Sequence, residues 1–151
     1  MTKKEMNIIT DSREKLMLWK NTEVKKLDVG DYSFSFDGKD YSDIIAIERK
    51  NLSDLFGTLG SGHARFKREL ERSKKLDYFA IVIDGSHKQI NDKDFPGAQY
   101  TKIKGYVINK ILATLHIKYG INYFYAGNRT SSKRLITDIF KAYLTQKGEA
   151  C

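Results

Sequence analysis

Two pieces of this chain decide how it folds: Gly30-Asp31-Tyr32-Ser33-Phe34-Ser35-Phe36 and, after a short connection, Ile44-Ile45-Ala46-Ile47-Glu48-Arg49-Lys50-Asn51-Leu52-Ser53-Asp54. The second begins as an apolar run rich in β-branched residues and turns charged at its end, which is the pattern of a buried strand emerging at a sheet edge. Side chains alternate along a strand, so Glu48 and Lys50 share one face, roughly 6–7 Å apart at Cα, while Ile45, Ile47 and Arg49 share the other. In the first piece Tyr32, Phe34 and Phe36 alternate with Ser33 and Ser35, giving a second strand. Gly38, within Phe36-Asp37-Gly38-Lys39-Asp40, marks the hairpin turn that returns the chain and sets Asp31 beside Glu48.

The chemistry of that grouping is specific. Mg²⁺ prefers oxygen ligands in near-octahedral geometry and keeps several waters, so one or two carboxylates such as Asp31 and Glu48 suffice to hold it on a phosphate. The carbonyl of Arg49 offers a further oxygen. Lys50 then stands where it can orient an attacking water, take its proton if its own pKa is lowered, or neutralise charge developing on phosphorus. Asp54, one turn into the next helix, is placed to hold Arg49 or Lys50. A strand ending in Glu-Arg-Lys is by itself as readily a solvated strand end; Gly30-Asp31 upstream and Asp54 downstream make it a site.

The pattern Gly-Asp, spacer, Glu-Arg-Lys, three residues, Asp resembles the nuclease domain of the XPF-type structure-specific DNA endonucleases, a branch of the PD-(D/E)xK nuclease superfamily. Ile8-Ile9-Thr10-Asp11-Ser12-Arg13-Glu14 is similar to that family's opening strand and Asp-x-Arg-Glu turn, and Leu27-Asp28-Val29-Gly30-Asp31-Tyr32 to its second strand. Gly62 to Glu69, with Arg65-Phe66, is similar to its helix after the catalytic strand, and Phe79 to Gly85 to its next core strand. The match runs in order over roughly residues 7 to 146. It implies that Asp11, Asp31 and Glu48 surround a Mg²⁺ or Mn²⁺ ion, that Lys50 is the catalytic lysine, and that Arg49 and Asp54 complete the site. Arg13, Glu14 and Arg65 would support the site or contact phosphate. The resemblance also implies pairing of like domains, as a homodimer or heterodimer, through the C-terminal helices. Family members of this type usually carry a tandem helix-hairpin-helix module after the nuclease domain; residues 1–151 are read as a single nuclease domain without one.

Length and composition agree with one α/β domain. At 151 residues and 40% hydrophobic content, the chain can bury roughly two-thirds of its unfolded surface. No apolar run approaches the ~20 residues needed to cross a bilayer, and no signal-peptide core follows the polar start, so an intracellular location is expected and a membrane partner is not. The single cysteine, Cys151, excludes an intrachain disulfide and a cysteine-based metal cage. The formal net charge of +8 is unevenly spread. Residues 95–151 hold nine Lys or Arg against Asp138 and Glu149, a net +7, whereas residues 1–94 hold 18 basic and 17 acidic residues, a net +1. A basic flank beside an acidic metal site suits a phosphodiester substrate, because it attracts the backbone that the acids repel. The expected DNA contacts are Arg13, Arg65, Lys67 and Arg68 around the site and Lys102, Lys104, Arg129, Lys133 and Arg134 on the flank.

Strands are predicted over Asn7–Asp11, Tyr32–Phe36, Ile44–Arg49, Phe79–Ile83 and Ile121–Tyr125, and helices over Leu52–Leu59, Ala64–Lys75, Ile103–Tyr119 and Ser132–Thr145. The order implies a central mixed sheet flanked by helices, the restriction-endonuclease-like fold of the resemblance. Asp84 is read as a turn-initiating residue or a peripheral metal-site carboxylate, and the long loop from Gly85 to Gln99 as a surface insertion or a substrate contact. The expected function is that of a metal-dependent DNA endonuclease, acting on branched or structured DNA in repair, recombination or replication. The alternatives are a DNA-binding or dimerisation module that has lost catalysis and a junction-resolving nuclease of the wider superfamily.

Overall fold

A computed structural model describes residues 4–149; Cys151 lies outside them. Seven strands and five helices follow in the order β1 (Met6–Asp11), β2 (Glu23–Lys25), β3 (Tyr32–Phe36), β4 (Lys39–Asp40), β5 (Ile45–Lys50), α1 (Leu52–Leu59), α2 (His63–Ser73), β6 (Tyr78–Ile83), α3 (His87–Asp92), α4 (Gly105–Tyr119), β7 (Asn122–Tyr125) and α5 (Arg129–Gln146), with a 3-10 turn at Ala98–Tyr100. The strands form one mixed sheet, β2-β1-β3-β5-β6-β7, with β4 paired to β3. β3 runs antiparallel to both of its neighbours, β1 and β5, whereas β5, β6 and β7 are parallel, each linked to the next through helices.

The side-chain alternation of β5 and β6 sets up the two layers. Ala46 on β5 and Phe79, Ile81 and Ile83 on β6 face one side, where Leu55 and Phe56 of α1, Phe66 and Leu70 of α2, and Ile108 and Leu112 of α4 close over them. Ile45, Ile47, Ala80 and Val82 face the other side, under Ile136, Phe140 and Leu144 of α5. Both faces of the parallel half are therefore buried, which is why its strands read as unbroken apolar runs. Ile108, Leu112 and Leu115 of α4 and Ile136, Phe140 and Leu144 of α5 are buried against the sheet, whereas Val107 and Ile111 of α4 are only partly covered and Tyr106 and Ile117 are exposed.

The hairpin after β3 turns through Asp37 (φ 51) and Gly38 (φ 80), the pair of left-handed residues that a tight turn between right-twisted strands needs. Several expectations are corrected. Leu27 to Gly30 is a bend rather than a strand, and β3 begins at Tyr32. The Gly85–Gln99 segment is not a structureless loop: Ser86 caps α3 through a reciprocal bond pair with Gln89, and Ile90 is fully buried. Strands β2 and β4 are additions to the expected set; at three and two residues they are too short to show a period. Tyr123, Phe124 and Tyr125 form the half-buried edge strand β7 rather than a core strand. No helix among the described residues is long and apolar enough to cross a membrane.

Candidate active site

The site is built where β3 and β5 lie antiparallel, with Tyr32 opposite Ile47. Gly30 enters it with φ +81, and a Cβ there would stand 2.9 Å from the Ala46 Cβ and 3.1 Å from the Ile47 carbonyl oxygen. Only glycine lets the backbone press this close to β5. The Asp31 N–H then donates to the Ile47 carbonyl at 2.8 Å, and its carboxylate accepts the Arg49 N–H at 2.8 Å. Asp31 is thereby fixed against β5 by its own backbone and side chain.

Glu48 is 4% exposed and adjoins Asp31 closely enough for the two carboxyls to share a proton. Burial pushes the Asp31 carboxyl up to about 7, and the nearby Glu14 carboxylate adds to the rise. Burial also holds Glu48 well above the ordinary carboxylate range, and the Asp31 charge reinforces it. Two buried acids at one spot are costly as a pair of anions, and a cation between them removes that cost. Lys50 Nζ stands 3.5 Å from Glu48 Oε2. Burial alone would lower the Lys50 pKa, but Glu48, Asp31, Glu69 and Asp54 outweigh it and the pKa is raised. With Glu48 and Asp31 beside it, Lys50 is held as an ammonium.

Asp31 and Glu48 floor a cleft of about 350 Å³ that Asp11, Arg13 and Glu14 also line, with Arg65, Arg68, Glu69 and Arg72 of α2 forming the opposite wall. Lys50 lines an adjoining hollow beside Gly57 and Gly62, which shares Arg65 and Glu69 with the cleft. Glu69 thus stands between the two, a site residue that sequence reasoning missed. Its signal is the stripe Arg65, Arg68, Glu69 and Arg72 at helical spacing, flanking the buried stripe Phe66, Leu70 and Ser73.

Other expected residues are placed differently. Asp11 lines the cleft, but its carboxylate accepts the Leu27 N–H at 2.8 Å and pairs with Arg13, whose Nη2 donates to the Leu27 carbonyl. It clamps the bend that presents Gly30 and Asp31. Arg49 points to the α5 face of the sheet, as alternation requires, and its guanidinium pairs with Asp84, which also accepts a hydrogen bond from Ser132 Oγ of α5. Asp54 therefore does not hold Arg49. It sits exposed in the first turn of α1, its N–H donating to the Asn51 cap at 2.8 Å, and acts on Lys50 through its field alone. Asp84 is neither a turn initiator nor beside Asp31 and Glu48, being the partner of Arg49.

The basic C-terminal third is not one patch. Lys102 and Lys104 precede α4 on one face of the sheet, whereas Arg129, Lys133 and Arg134 ride on α5, on the other. Arg129 donates to the Leu16 and Met17 carbonyls at 2.9 Å each, and Lys133 Nζ sits 5.7 Å from the Trp19 ring centroid, so both brace the 12–22 loop. Lys67 and Arg68 lie exposed on α2 beside the cleft.

Comparisons with known proteins agree with this geometry. The family model described as the ERCC4 domain matches residues 7–139. Among solved structures, the fold is similar to XPF from Aeropyrum pernix, at 19% identity and a TM-score of 0.65, over 90% of this chain and 66% of that one. It is equally similar to the same organism's XPF in complex with DNA, at 20% identity and a TM-score of 0.65, over 95% of this chain and 66% of that one. This chain thus corresponds to just under two thirds of the relative's length. No curated protein shows significant sequence similarity. The structural likeness, at these identities, speaks for a restriction-endonuclease-like fold; the sequence model over most of the chain carries the lineage, and the chain belongs to the ERCC4-domain family as an XPF-type nuclease domain.

Proposed function

We propose that residues 1–151 form a divalent-metal-dependent DNA endonuclease domain that hydrolyses phosphodiesters in branched or structured DNA. The observation that carries this reading is the buried Asp31–Glu48 pair at the floor of a cleft walled by Arg65, Arg68 and Arg72, with the Lys50 ammonium 3.5 Å from Glu48 in the adjoining hollow. Among the described residues no three acidic, histidine or cysteine side chains make a complete protein cage. Two carboxylates with open positions are the donor set that Mg²⁺ or Mn²⁺ accepts while keeping waters and a phosphate oxygen. Asp31 and Glu48 would hold the ion, which when bound polarises the phosphate and acidifies water.

The chain's own residues supply the rest. The arginines of α2, with Arg13 across the cleft, bind phosphate oxygens and offset the repulsion of the acids. Lys50, kept protonated by Glu48 and Glu69, stabilises negative charge gathering on the phosphate as the bond to the leaving oxygen breaks. Gly30 and the Asp11–Arg13 clamp keep Asp31 in register, and the Arg49–Asp84–Ser132 chain keeps the end of β5 from shifting. The likeness to an XPF seen with DNA supports DNA as substrate, and with it a role in repair, recombination or replication. A module that had lost catalysis would have no need of an assembled Asp31–Glu48–Lys50 constellation.

The test is incubation of purified protein with end-labelled flap, fork, junction and blunt duplex DNAs in Mg²⁺, in Mn²⁺ and in chelator. Cleavage of the branched substrates, abolished by chelator, is expected. No cleavage of any substrate with either metal contradicts the proposal.

A further inference from the structure

Beyond the catalytic cleft the surface continues between α2 and α4 as two adjoining hollows of about 220 Å³ each, which share Lys67 and Tyr119. Their floor is apolar, made by Val107, Ile111 and Leu115 of α4 with the ring of Tyr119. Their rim is cationic: Lys67, Lys110 and Lys118 edge the first hollow, and Arg68 and Lys74 the second. Glu71 is the one acid lining either hollow among the described residues, and it is held by Lys74 at 3.1 Å. The ammoniums of Lys74 and Lys118 stand 5.6 and 5.3 Å from the Tyr119 ring centroid, so the ring lies between positive charges. Arg68 lines both the second hollow and the cleft, so the two adjoin at that residue along α2.

We propose that this groove takes the unpaired strand of the DNA substrate, with bases against Tyr119 and the apolar floor and phosphates on the flanking lysines. The proposal rests on reading the cleft as the DNA-cutting site, and it names a substrate feature, a single-stranded arm leaving that cleft over α2. An apolar floor between cationic rims suits a single strand, whose exposed bases have apolar faces; a duplex turns only phosphates and groove edges outward. An acidic amphipathic helix would match the same charges. The shared Arg68 favours the strand, because it puts a cation where the cleft and the groove meet, so a polyanion running from one to the other keeps its phosphates paired.

The test uses the full chain in chelator, so that nothing is cut, and follows the fluorescence anisotropy of a labelled oligothymidylate of about 15 nucleotides. The variant is Lys110→Glu/Lys118→Glu; both residues are exposed and lie outside the catalytic cleft. It is expected to weaken oligothymidylate binding about tenfold or more, and to flatten the slope of log K against log salt by about 0.7 for each phosphate that is no longer neutralised. Blunt-duplex affinity should change far less. A second measurement does not depend on substitution: an oligonucleotide carrying 5-iodouracil is irradiated on the wild-type protein, and the crosslink is expected at Tyr119. Unchanged oligothymidylate affinity in the variant, an equal loss for blunt duplex, or crosslinks only to peptides outside α2 and α4 would overturn the proposal. So would a groove that binds an acidic helical peptide and not the oligonucleotide. A wild-type protein that crosslinks through Tyr119 yet cuts nothing in Mg²⁺ or Mn²⁺ supports the groove and refutes the nuclease reading. One that cuts while its groove variant binds unchanged refutes the groove alone.

Discussion

Replacing Asp84 with alanine should destabilise the protein by about 3–5 kcal/mol, the usual cost of stranding one member of a buried ion pair. The figure follows from the surroundings. The side chains of Arg49 and Asp84 are only 10% and 8% exposed, and the guanidinium addresses both carboxylate oxygens, one of them from Nε at 3.2 Å. Ser132 Oγ donates to the same carboxylate, so the substitution also orphans a buried hydroxyl. Domains have total stabilities of about 5–15 kcal/mol, so this is a large share of the whole. Urea unfolding followed by circular dichroism reads it directly, and the thermal midpoint should fall by roughly 6–20 °C for a chain of this size. The double variant Arg49→Met/Asp84→Leu, which removes both charges, should recover much of the loss, giving a positive coupling in the double-mutant cycle. A loss below about 1 kcal/mol for Asp84→Ala would refute the claim that Arg49 is held by this pair.

Gly30→Ala should cost at least about 1–3 kcal/mol from the left-handed backbone alone, with the clash against Ala46 added, and should lower cleavage by displacing Asp31; a crystal structure or unfolding curve unchanged by the substitution would contradict this. Metal-free stability carries a pH signature. Asp31 is raised from 3.8 to about 7, so the folded state keeps a proton that the unfolded chain has released, and this contribution is lost as pH rises between those values. The wild type should therefore weaken relative to Asp31→Asn from pH 4 to pH 7 in urea unfolding, by an amount on the order of a few kcal/mol, and Mg²⁺ should restore it at pH 7 far more than at pH 5. Lys50→Ala should slow cleavage by roughly 10²–10⁴-fold while leaving the Mg²⁺ requirement nearly unchanged; a variant that cuts normally but needs far more Mg²⁺ would contradict the role given to Lys50.

Much of the catalytic strand is legible in the sequence because alternation is a geometric necessity. Once Ile45 to Lys50 is a strand, Glu48 and Lys50 share a face and Arg49 takes the other. The same alternation, carried past the end of β6, puts Asp84 on the Arg49 face, but a lone aspartate following a strand reads locally as a turn residue. Asp54 misleads for a related reason: helical spacing brings it near β5, but its first-turn position and the Asn51 cap are what fix it. The bend at Leu27 to Gly30 is hidden because apolar Leu27 and Val29 alternate like a strand; they are buried at 1% and 2% exposure under a clamp, from Asp11 and Arg13, that arises from distant sequence. The charge map misleads because linear clustering says nothing about which face of the sheet α4 and α5 cover.

The central claim is that Asp31 and Glu48 together make the divalent-metal site that cuts DNA. The measurement that bears on it most directly is the initial rate of cleavage of a labelled branched DNA by wild type and Glu48→Gln, side by side across a Mg²⁺ titration, with folding of the variant checked by circular dichroism. Glutamine keeps the size of the side chain and removes the charge that holds the cation. The account predicts saturable, Mg²⁺-dependent cleavage by the wild type and none by the folded variant at any Mg²⁺ concentration; cleavage by Glu48→Gln at the wild-type rate would contradict it.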